Sequence, residues 1–147
     1  MACWLVKTEP SAYAFGDLVA EGKTAWTGVK NPQAQLQLRA MRKGDRVAVY
    51  HTGGEKAVVG TAVVAGAPRP DPTDAAGKRV AVELRAVKAL AAPVTLLALR
   101  VERAFAGSPL LVQGRLSVVP LTAAQWKVIE ARGRRRGPAT AAGPGAA

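Results

Sequence analysis

Short apolar runs, bounded by glycine, proline and charged residues, recur along this chain. Runs of this length that are rich in valine and other β-formers are typical of strands. Apolar and polar side chains alternate in residues 80–87, which indicates a strand with one face in solvent. The pattern predicts strands at residues 2–7, 46–51, 57–65 and 80–87 and another at the end of 114–120, with Gly60 as a candidate bulge.

A helix is predicted directly after Asn31-Pro32. Asparagine accepts hydrogen bonds from the first backbone N–H groups of a helix, and proline already has the backbone angle of the first turn. Arg39 and Arg42 are expected to stay in solvent. The predicted buried face over residues 33–41 consists of Leu36, Leu38, Ala40 and Met41.

Two shorter helices are predicted from cap and turn residues. One lies around residues 17–20 and is closed by Gly22, because glycine is the usual residue after a helix end. The other lies at about residues 96–101 and is capped by Thr95. Residues 108–113 are predicted to form either a short helix or an irregular passage.

The last helix opens at Thr122, where a threonine followed three residues later by Gln125 matches a capping box. It is predicted to end at about residue 132, with Trp126 and Ile129 turned inward. Residues 133–147 are rich in glycine, proline, alanine and arginine and have almost nothing to bury, so they are predicted to be a disordered basic tail.

About five strands interleaved with short helices predict an α+β fold, with a small mixed, barrel-like sheet and helices around it. The spacing between strands and helices lacks the regular crossovers that a doubly wound parallel sheet needs. Residues 67–77 contain three prolines and two aspartates and are predicted to be a loop. The chain is therefore interpreted as one domain, residues 1–132, followed by the tail.

The composition agrees with a single globular domain. At 147 residues, 49% of them hydrophobic, the chain is large enough for one buried core. No run approaches the roughly 20 apolar residues of a membrane span, and no basic-then-apolar leader precedes the first strand. Cys3 is the only cysteine, which argues against a disulfide framework and a thiolate metal site. We expect a cytoplasmic monomer without membrane contact, metal or cofactor.

The net charge of +11 is divided between the predicted domain and the tail. All ten acidic residues and 17 of the 21 basic residues precede Ala131, which leaves +7 there and +4 on Arg132 and Arg134 to Arg136. A basic body with a basic tail favours polyanionic partners, of which nucleic acid is the commonest. A solvated surface in an arginine-rich composition is the alternative.

Catalytic motifs are weak in this sequence. His51 is the only histidine, and there is no nucleophile elbow, no zinc-binding histidine motif and no phosphate-binding Walker loop. Gly53-Gly54 lacks a following lysine and hydroxyl residue, so it is interpreted as a hairpin turn. Asp71 and Asp74 lie in the proline-rich loop and are expected to be solvated. Metal sites need clustered ligands, and none is predicted.

Binding of a flat ligand suits the residues better. An extruded nucleobase is held by an aromatic face and by polar groups on its edge. Residues of the right types are Thr8, Trp26, Asn31, Tyr50, Gln113 and Ser117. Each also has a structural interpretation: Trp26 as core, Tyr50 as a strand aromatic, Asn31 as a helix cap and Thr8 as a turn residue.

Four ordered motifs give the chain a specific resemblance. They are Trp4-Leu5-Val6-Lys7-Thr8-Glu9-Pro10, Trp26-Thr27-Gly28-Val29-Lys30-Asn31-Pro32-Gln33-Ala34, Gly44-Asp45 with Tyr50-His51-Thr52, and Gln113-Gly114-Arg115-Leu116-Ser117-Val118. Together they resemble the EVE domain, a family of the PUA-like superfamily. The resemblance extends over residues 1–132, nearly the whole chain except the tail.

The resemblance implies a PUA-like pseudo-barrel and a pocket that reads a modified base in DNA or RNA, as related YTH domains read methyladenine. Modified cytosines are the ligands proposed for the family. By this resemblance the pocket would be lined by Lys7, Thr8, Trp26, Thr27 and Gly28 and completed by Asn31, Tyr50, His51, Thr52, Gln113 and Ser117. The basic residues expected to contact phosphates are Lys30, Arg39, Arg115, Arg134, Arg135 and Arg136.

The sequence departs from the family pattern where the family commonly has arginine at Lys30, Gln35 and Val112, serine at Thr52 and other residues at Pro32. Lysine lacks the planar, bidentate fork of arginine, and glutamine carries no charge. We therefore expect the phosphate or base-edge contacts to differ from those of relatives. Thr52 keeps the hydroxyl group.

Three hypotheses follow from the sequence. The first is a non-catalytic reader of a modified base, with Trp26 in the pocket and a basic face for phosphates. The second is a generic RNA-associated PUA-like module without such a pocket. The third is a small nucleic-acid-processing hydrolase that uses His51 and a carboxylate.

Overall fold

The computed structural model describes residues 1–134. It contains a mixed sheet of seven strands with short helices around it, and this confirms the α+β class. The strands are β1 Cys3–Thr8, β2 Lys23–Trp26, β3 Arg46–His51, β4 Ala57–Val64, β5 Arg69–Pro70, β6 Val80–Thr95 and β7 Val118–Leu121. The helices are α1 Phe15–Glu21, α2 Pro32–Ala40, α3 Leu96–Arg100, α4 Pro109–Val112 and α5 Ala123–Arg134, with one 3₁₀ turn at Arg103–Phe105.

The sheet order is β2-β6-β4-β3-β1-β7, and β5 pairs with β6 outside this path. Only β1 and β3 run parallel among the described strand pairs; the others are antiparallel. β1 lies between β3 and β7, which explains its continuous apolar run, since Leu5 and Val6 are completely buried. The carboxyl ends of β1 and β3 therefore lie side by side, with Thr8 opposite His51.

The predicted bulge at Gly60 is present, because the β3–β4 and β4–β6 registers both shift there. The Phe15 ring packs directly on this glycine: an added Cβ would lie only 2.4 Å from the ring. Glycine at this position thus allows α1 to dock on the sheet. Gly22 ends α1 with a positive φ of 79°, as its position after the helix predicted.

Strand β6 is longer than the predicted 80–87 and continues through Pro93. Its partner β2 pairs only with Val82 to Arg85, so the later part of β6 has β4 as its ladder neighbour. Proline lacks a backbone N–H group, and this costs no ladder hydrogen bond on a side where no strand pairs. Thr95 then caps α3 by accepting a hydrogen bond from the backbone N of Ala98, as predicted.

Helix α2 begins at Pro32 with Asn31 as its N-cap, as predicted, but its buried face differs from the prediction. Leu38 and Met41 are buried, whereas Ala40 is exposed and Leu36 is 65% exposed. Gln35 takes the inward position instead, because its amide finds buried backbone partners that a leucine could not satisfy.

The capping box at the start of α5 is present. Thr122 Oγ1 accepts from the backbone N of Gln125, and Gln125 Oε1 accepts from the backbone N of Thr122. Trp126 and Ile129 are buried as predicted. The helix continues through Gly133, which packs against Leu90, to Arg134. The rest of the predicted tail, including Arg135 and Arg136, lies outside the described residues.

Candidate functional site

A cavity of about 460 Å³ opens where β1 ends, beside the segment between β2 and α2. Its volume falls within the range of about 300–1,000 Å³ that is typical of small-molecule pockets. We call it the first cavity. Its lining residues are Lys7, Thr8, Glu9, Tyr13, Thr24, Ala25, Trp26, Thr27, Gly28, Val29, Lys30 and Ser117.

Two aromatic rings form one side of the first cavity. Trp26 ends β2, is paired with Val82 of β6, and is only 8% exposed. Tyr13 meets it edge to face, with ring centroids 5.9 Å apart and an interplanar angle of 83°. Burial raises the pKa of Tyr13, and the Glu21 carboxylate that the Tyr13 hydroxyl contacts raises it further. The Tyr13 phenol therefore stays neutral near pH 7.

The backbone of Gly28 is held by a residue far away in sequence. Gly28 has a positive φ of 75°, and its N–H donates to Asp71 Oδ2 at 2.8 Å. Asp71 Oδ1 accepts from the backbone N and the hydroxyl of Thr73, both at 2.7 Å. Nothing lies within 4 Å of the position that a Gly28 Cβ would occupy, so this part of the wall faces open space.

Asp71 and Asp74 were expected to be solvated, and this expectation is wrong. Asp71 is 2% exposed, and the Asp74 side chain accepts backbone hydrogen bonds from Lys78 and Arg79. Burial alone raises the pKa of Asp71, but hydrogen bonds from Thr73 and Gly28, together with nearby Arg79, outweigh it and hold that pKa below its ordinary value. The proline-rich loop is thus an ordered support for the cavity wall.

Gln35 fixes Val29, the residue that follows Gly28 in the lining of the first cavity. Its Nε2 donates to the carbonyl oxygens of Val29 at 2.7 Å and Val80 at 3.1 Å, while its Oε1 accepts from the backbone N of Val80 at 2.9 Å. This amide ties the cavity wall to the start of β6. Because Gln35 is 5% exposed and its amide is engaged by these backbone groups, it supports the cavity wall from behind.

The end of β1 and Ser117, which directly precedes β7, form another part of the lining of the first cavity. The backbone N of Lys7 donates to the Ser117 carbonyl at 2.9 Å, and Thr8 Oγ1 donates to the Tyr13 carbonyl at 2.6 Å. Lys7 Nζ donates to the Gly114 carbonyl at 2.9 Å, which leaves two of its three N–H groups for other partners. Burial lowers the pKa of Lys7.

Seven of the predicted site residues meet at the first cavity. They are Lys7, Thr8, Trp26, Thr27, Gly28, Ser117 and, from the predicted phosphate contacts, Lys30. Thr52 lies just outside, where its hydroxyl is 3.3 Å from Glu9 Oε2. Tyr13, Glu9, Asp71 and Gln35 were not singled out as site residues. The sequence contained a signal for two of them. Tyr13 closely follows the first motif, and the spacing of Asp71 from Thr73 is typical of a local aspartate turn.

Two predicted pocket residues, Asn31 and Gln113, line a different cavity of about 350 Å³ together with Arg115. We call it the second cavity. Its remaining lining residues are Gln33, Val112, Gly114 and Leu116. Of the other predicted phosphate contacts, Arg39 donates to the Lys78 carbonyl at 2.6 Å, and Arg134 lies in a separate cleft beside Leu90.

Tyr50 and His51 lie behind the first cavity, in the core. The Tyr50 ring is buried beneath the ammonium group of Lys7, 5.6 Å from Nζ to the ring centroid. His51 Nε2 accepts from the backbone N of Phe15 at 2.9 Å, and Nδ1 lies 2.7 Å from Glu55 Oε1. The first bond requires an unprotonated Nε2, so the ring proton is on Nδ1. This N–H group donates a hydrogen bond to Glu55 Oε1.

Both ring nitrogens of His51 are therefore engaged, Nε2 by the start of α1 and Nδ1 by Glu55 after β3. This arrangement disfavours a role as general base, which needs a nitrogen within reach of a substrate. Within residues 1–134, no three histidine, cysteine or carboxylate side chains group together as metal ligands. No helix in this part of the chain is long and apolar enough to cross a membrane.

The family model described as "EVE domain" matches residues 2–132. The chain belongs to the EVE domain family. Rpa0253 from Rhodopseudomonas palustris is similar in structure, with 46% sequence identity, a TM-score of 0.85, and coverage of 90% of this chain and 93% of that one.

Two solved structures of similar fold contain a nucleic acid. Human THYN1 in complex with 5-methylcytosine-containing DNA is 24% identical, with a TM-score of 0.79 over 93% of this EVE domain chain and 100% of the other. The YTH domain of Zygosaccharomyces rouxii MRB1, in complex with N6-methyladenosine RNA, is 14% identical, with a TM-score of 0.60 over 92% and 88%. At these identities the two structures show a shared fold.

The chain also matches part of human thymocyte nuclear protein 1, with 34% identity over 82 residues. This match covers 48% of the EVE domain chain and 36% of the length of that relative.

Proposed function

We propose that this EVE domain is a non-catalytic reader of a modified base in nucleic acid, and that it holds the extruded base in the first cavity. The observation that carries the proposal is the geometry of this cavity. A fixed tryptophan ring stands beside a backbone wall at Gly28 that leaves open space next to it. A flat base needs this combination of a stacking surface and room for close approach.

The polar groups of the first cavity favour a base with an exocyclic amino group. Glu9 supplies a carboxylate acceptor, and Lys7 supplies N–H donors. The pairing edge of cytosine offers an amino donor beside a ring-nitrogen acceptor, whereas thymine presents a carbonyl acceptor in place of the amino group. Together with the complex of human THYN1 with 5-methylcytosine DNA, this makes 5-methylcytosine the first ligand to test.

The test uses short single-stranded DNAs that differ only in one central base: 5-methylcytosine, cytosine or thymine. Single strands avoid the cost of opening a base pair. Thymine carries the same methyl group as 5-methylcytosine, so this probe separates recognition of the methyl group from recognition of the amino edge. In fluorescence anisotropy we expect the 5-methylcytosine strand to bind most tightly. Glu9→Gln should lower the ratio of its affinity to that of the thymine strand.

Trp26→Ala should weaken binding of the 5-methylcytosine strand by about 10- to 100-fold, because base stacking on an aromatic ring contributes roughly 1–3 kcal/mol. Trp26→Phe keeps a ring and should retain most of the preference. Trp126→Ala is the matched control, since Trp126 is also buried but lies in α5 and lines no part of the first cavity. It should destabilise the fold without changing the preference.

Equal affinity of the wild-type protein for all three strands, unaffected by Trp26→Ala, would favour a generic nucleic-acid module over a reader. Cleavage of a strand by the wild-type protein, abolished in His51→Ala, would favour the hydrolase.

A further inference from the structure

The second cavity adjoins the first along two stretches of chain. Lys30 lines the first cavity and Asn31 the second, and the same division occurs between Ser117 and Leu116. The Lys7 ammonium group bridges the boundary, since it faces the first cavity and donates to the Gly114 carbonyl of the second. The second cavity therefore lies within reach of the backbone of a strand whose base occupies the first.

Hydrogen-bond donors dominate the side-chain chemistry of the second cavity. Arg115 provides a guanidinium group, and Gln33 and Gln113 provide side-chain amides. Asn31 Oδ1 already accepts from the backbone N of Gln33 and Ala34, so the amide nitrogen of Asn31 is the group that remains for a ligand.

The seven residues of the second cavity include no acidic and no aromatic side chain. The cavity therefore offers no aromatic ring on which a second base would stack. Without a carboxylate there is no repulsion of an anion. Arginine and amide donors around such a space are the groups that proteins use to contact phosphate oxygens.

Arg115 differs from the arginines that are held by carboxylates. Arg132 pairs with Glu102 at 2.6 Å, and Arg79 pairs with Asp74. Among the ion pairs found in residues 1–134, none includes Arg115 or Lys30. Their charges are therefore available to a ligand at the boundary of the two cavities.

We propose that the second cavity binds the phosphodiester group next to the extruded base, with Arg115 as its charged contact and Asn31, Gln33 and Gln113 as additional donors. This inference rests on the proposed function, because the base in the first cavity sets the register of the strand. It moves Asn31 and Gln113 from reading the base to positioning the backbone. Phosphate contacts of this kind are independent of sequence.

The experiment uses a set of single-stranded DNAs that carry one 5-methylcytosine and one neutral methylphosphonate, placed at a different phosphate in each strand. With the wild-type protein, we expect affinity to fall roughly 10-fold at one or two phosphates beside the 5-methylcytosine and to change little elsewhere, because a charge-assisted hydrogen bond is lost there. In Arg115→Gln the fully charged strand should bind more weakly, and the position dependence should disappear.

Arg39→Gln is the matched control, because Arg39 was an equally plausible phosphate contact from the sequence but is bound to the Lys78 carbonyl and lines neither cavity. It should keep the wild-type position dependence. The dependence of log affinity on log salt concentration should become shallower by about 0.7 in Arg115→Gln, the value for one phosphate of a single strand. It should stay unchanged in Arg39→Gln.

The same variants are also measured with cytosine in place of 5-methylcytosine. Arg115→Gln should retain the preference for the modified base. A position profile that is flat in the wild-type protein, or one that Arg115→Gln leaves unchanged, would overturn the phosphate site while leaving the base preference intact. Equal binding of both bases would instead overturn the proposed reader.

Discussion

Two regions resemble a binding site in sequence: Gly28 and Val29 in the wall of the first cavity, and Tyr50 and His51 at the end of β3. In the structure the two regions have different roles. At the end of β3, His51 engages Phe15 and Glu55 with its two ring nitrogens. In the wall, Gly28 and Val29 are held by side chains that approach from behind, Asp71 and Gln35. One region anchors a helix, and the other presents a surface.

The comparison shows how binding residues and supporting residues can be distinguished. A buried polar side chain whose hydrogen bonds all point into the protein stabilises the fold, because leaving its partner unsatisfied is costly. A presented wall needs such residues behind it, since a site is accurate only when its backbone is fixed. Here the supporting contacts join distant parts of the sequence, since Asp71 is 43 residues from Gly28 and Gln35 is 45 residues from Val80.

The largest effect is expected for Asp71→Ala. It leaves the N–H groups of Gly28 and Thr73 without their acceptor, and hydrogen bonds to a charged group contribute about 1.5–3 kcal/mol each. We expect a loss of stability of at least about 2 kcal/mol in urea denaturation, together with a weaker preference for 5-methylcytosine. Asp74→Ala removes a carboxylate from the same loop that does not contact Gly28. If Asp74→Ala reduced the preference as much, the loop as a whole would be responsible, not the bond to Gly28.

His51→Ala should destabilise the protein by about 1–3 kcal/mol, because the buried backbone N of Phe15 loses its acceptor. The ratio of affinities for 5-methylcytosine and cytosine, measured at a temperature where the variant is folded, should stay as in the wild type. His51→Asn, which can still accept a hydrogen bond, should recover part of the stability. A changed ratio in a folded His51→Ala protein would contradict the assignment of this region to the scaffold.

Gly28→Ala tests the wall itself. Its φ of 75° is unfavourable for a residue with a Cβ, at a cost of about 1–2 kcal/mol, and no atom lies close enough to clash. Gly107→Ala is the matched control, since Gly107 has a φ of 72° and equally open surroundings but does not line the first cavity. Both should lower the thermal midpoint by a similar amount, and only Gly28→Ala should weaken binding of the 5-methylcytosine strand. Equal binding by the two variants would show that Gly28 is merely a turn residue.

Much of the fold could be predicted from the sequence because its signals are local. The strand β3, the Asn31 cap and the Thr122 capping box depend on residues within one turn or one strand. Strand β2 was missed since Lys23 to Trp26 lie on an edge and become a strand only by pairing with β6. The inward Gln35 was missed because hydrophobicity alone favours Leu36, while the backbone groups that Gln35 satisfies come from Val29 and Val80.

The residues of the candidate site were likewise predictable only where their signal is local in the sequence. Thr8 and Trp26 were candidates from their residue types, and the resemblance to the EVE domain added Lys7, Thr27 and Gly28. The division between two cavities was not predictable, since Asn31 follows Lys30 directly and only the path of the chain separates them. Asp71 was expected to be solvated because its partner Gly28 lies on a distant segment of the sequence.

The smallest effect concerns pH. Burial raises the pKa of Asp71, but hydrogen bonds from Thr73 and Gly28 outweigh it, so that this pKa lies below its ordinary value in the folded protein. A lowered folded-state pKa means that the unfolded chain binds a proton more readily, so this contribution to stability is complete above the ordinary aspartate pKa of about 3.9 and is lost as pH falls through the lower value. Asp71→Asn removes this titration.

Unfolding free energy measured between about pH 7 and pH 3 should therefore fall less steeply below about pH 4 in Asp71→Asn than in the wild type. A residual slope should remain, because hydrogen bonds from the backbone of Arg79 and Lys78 also lower the pKa of Asp74. Near pH 7 the amide oxygen introduced by Asp71→Asn can still accept from Gly28, so binding should suffer less than in Asp71→Ala. Parallel slopes in the two proteins would mean that the Asp71 carboxylate is not held in the folded state as the geometry of the wall requires.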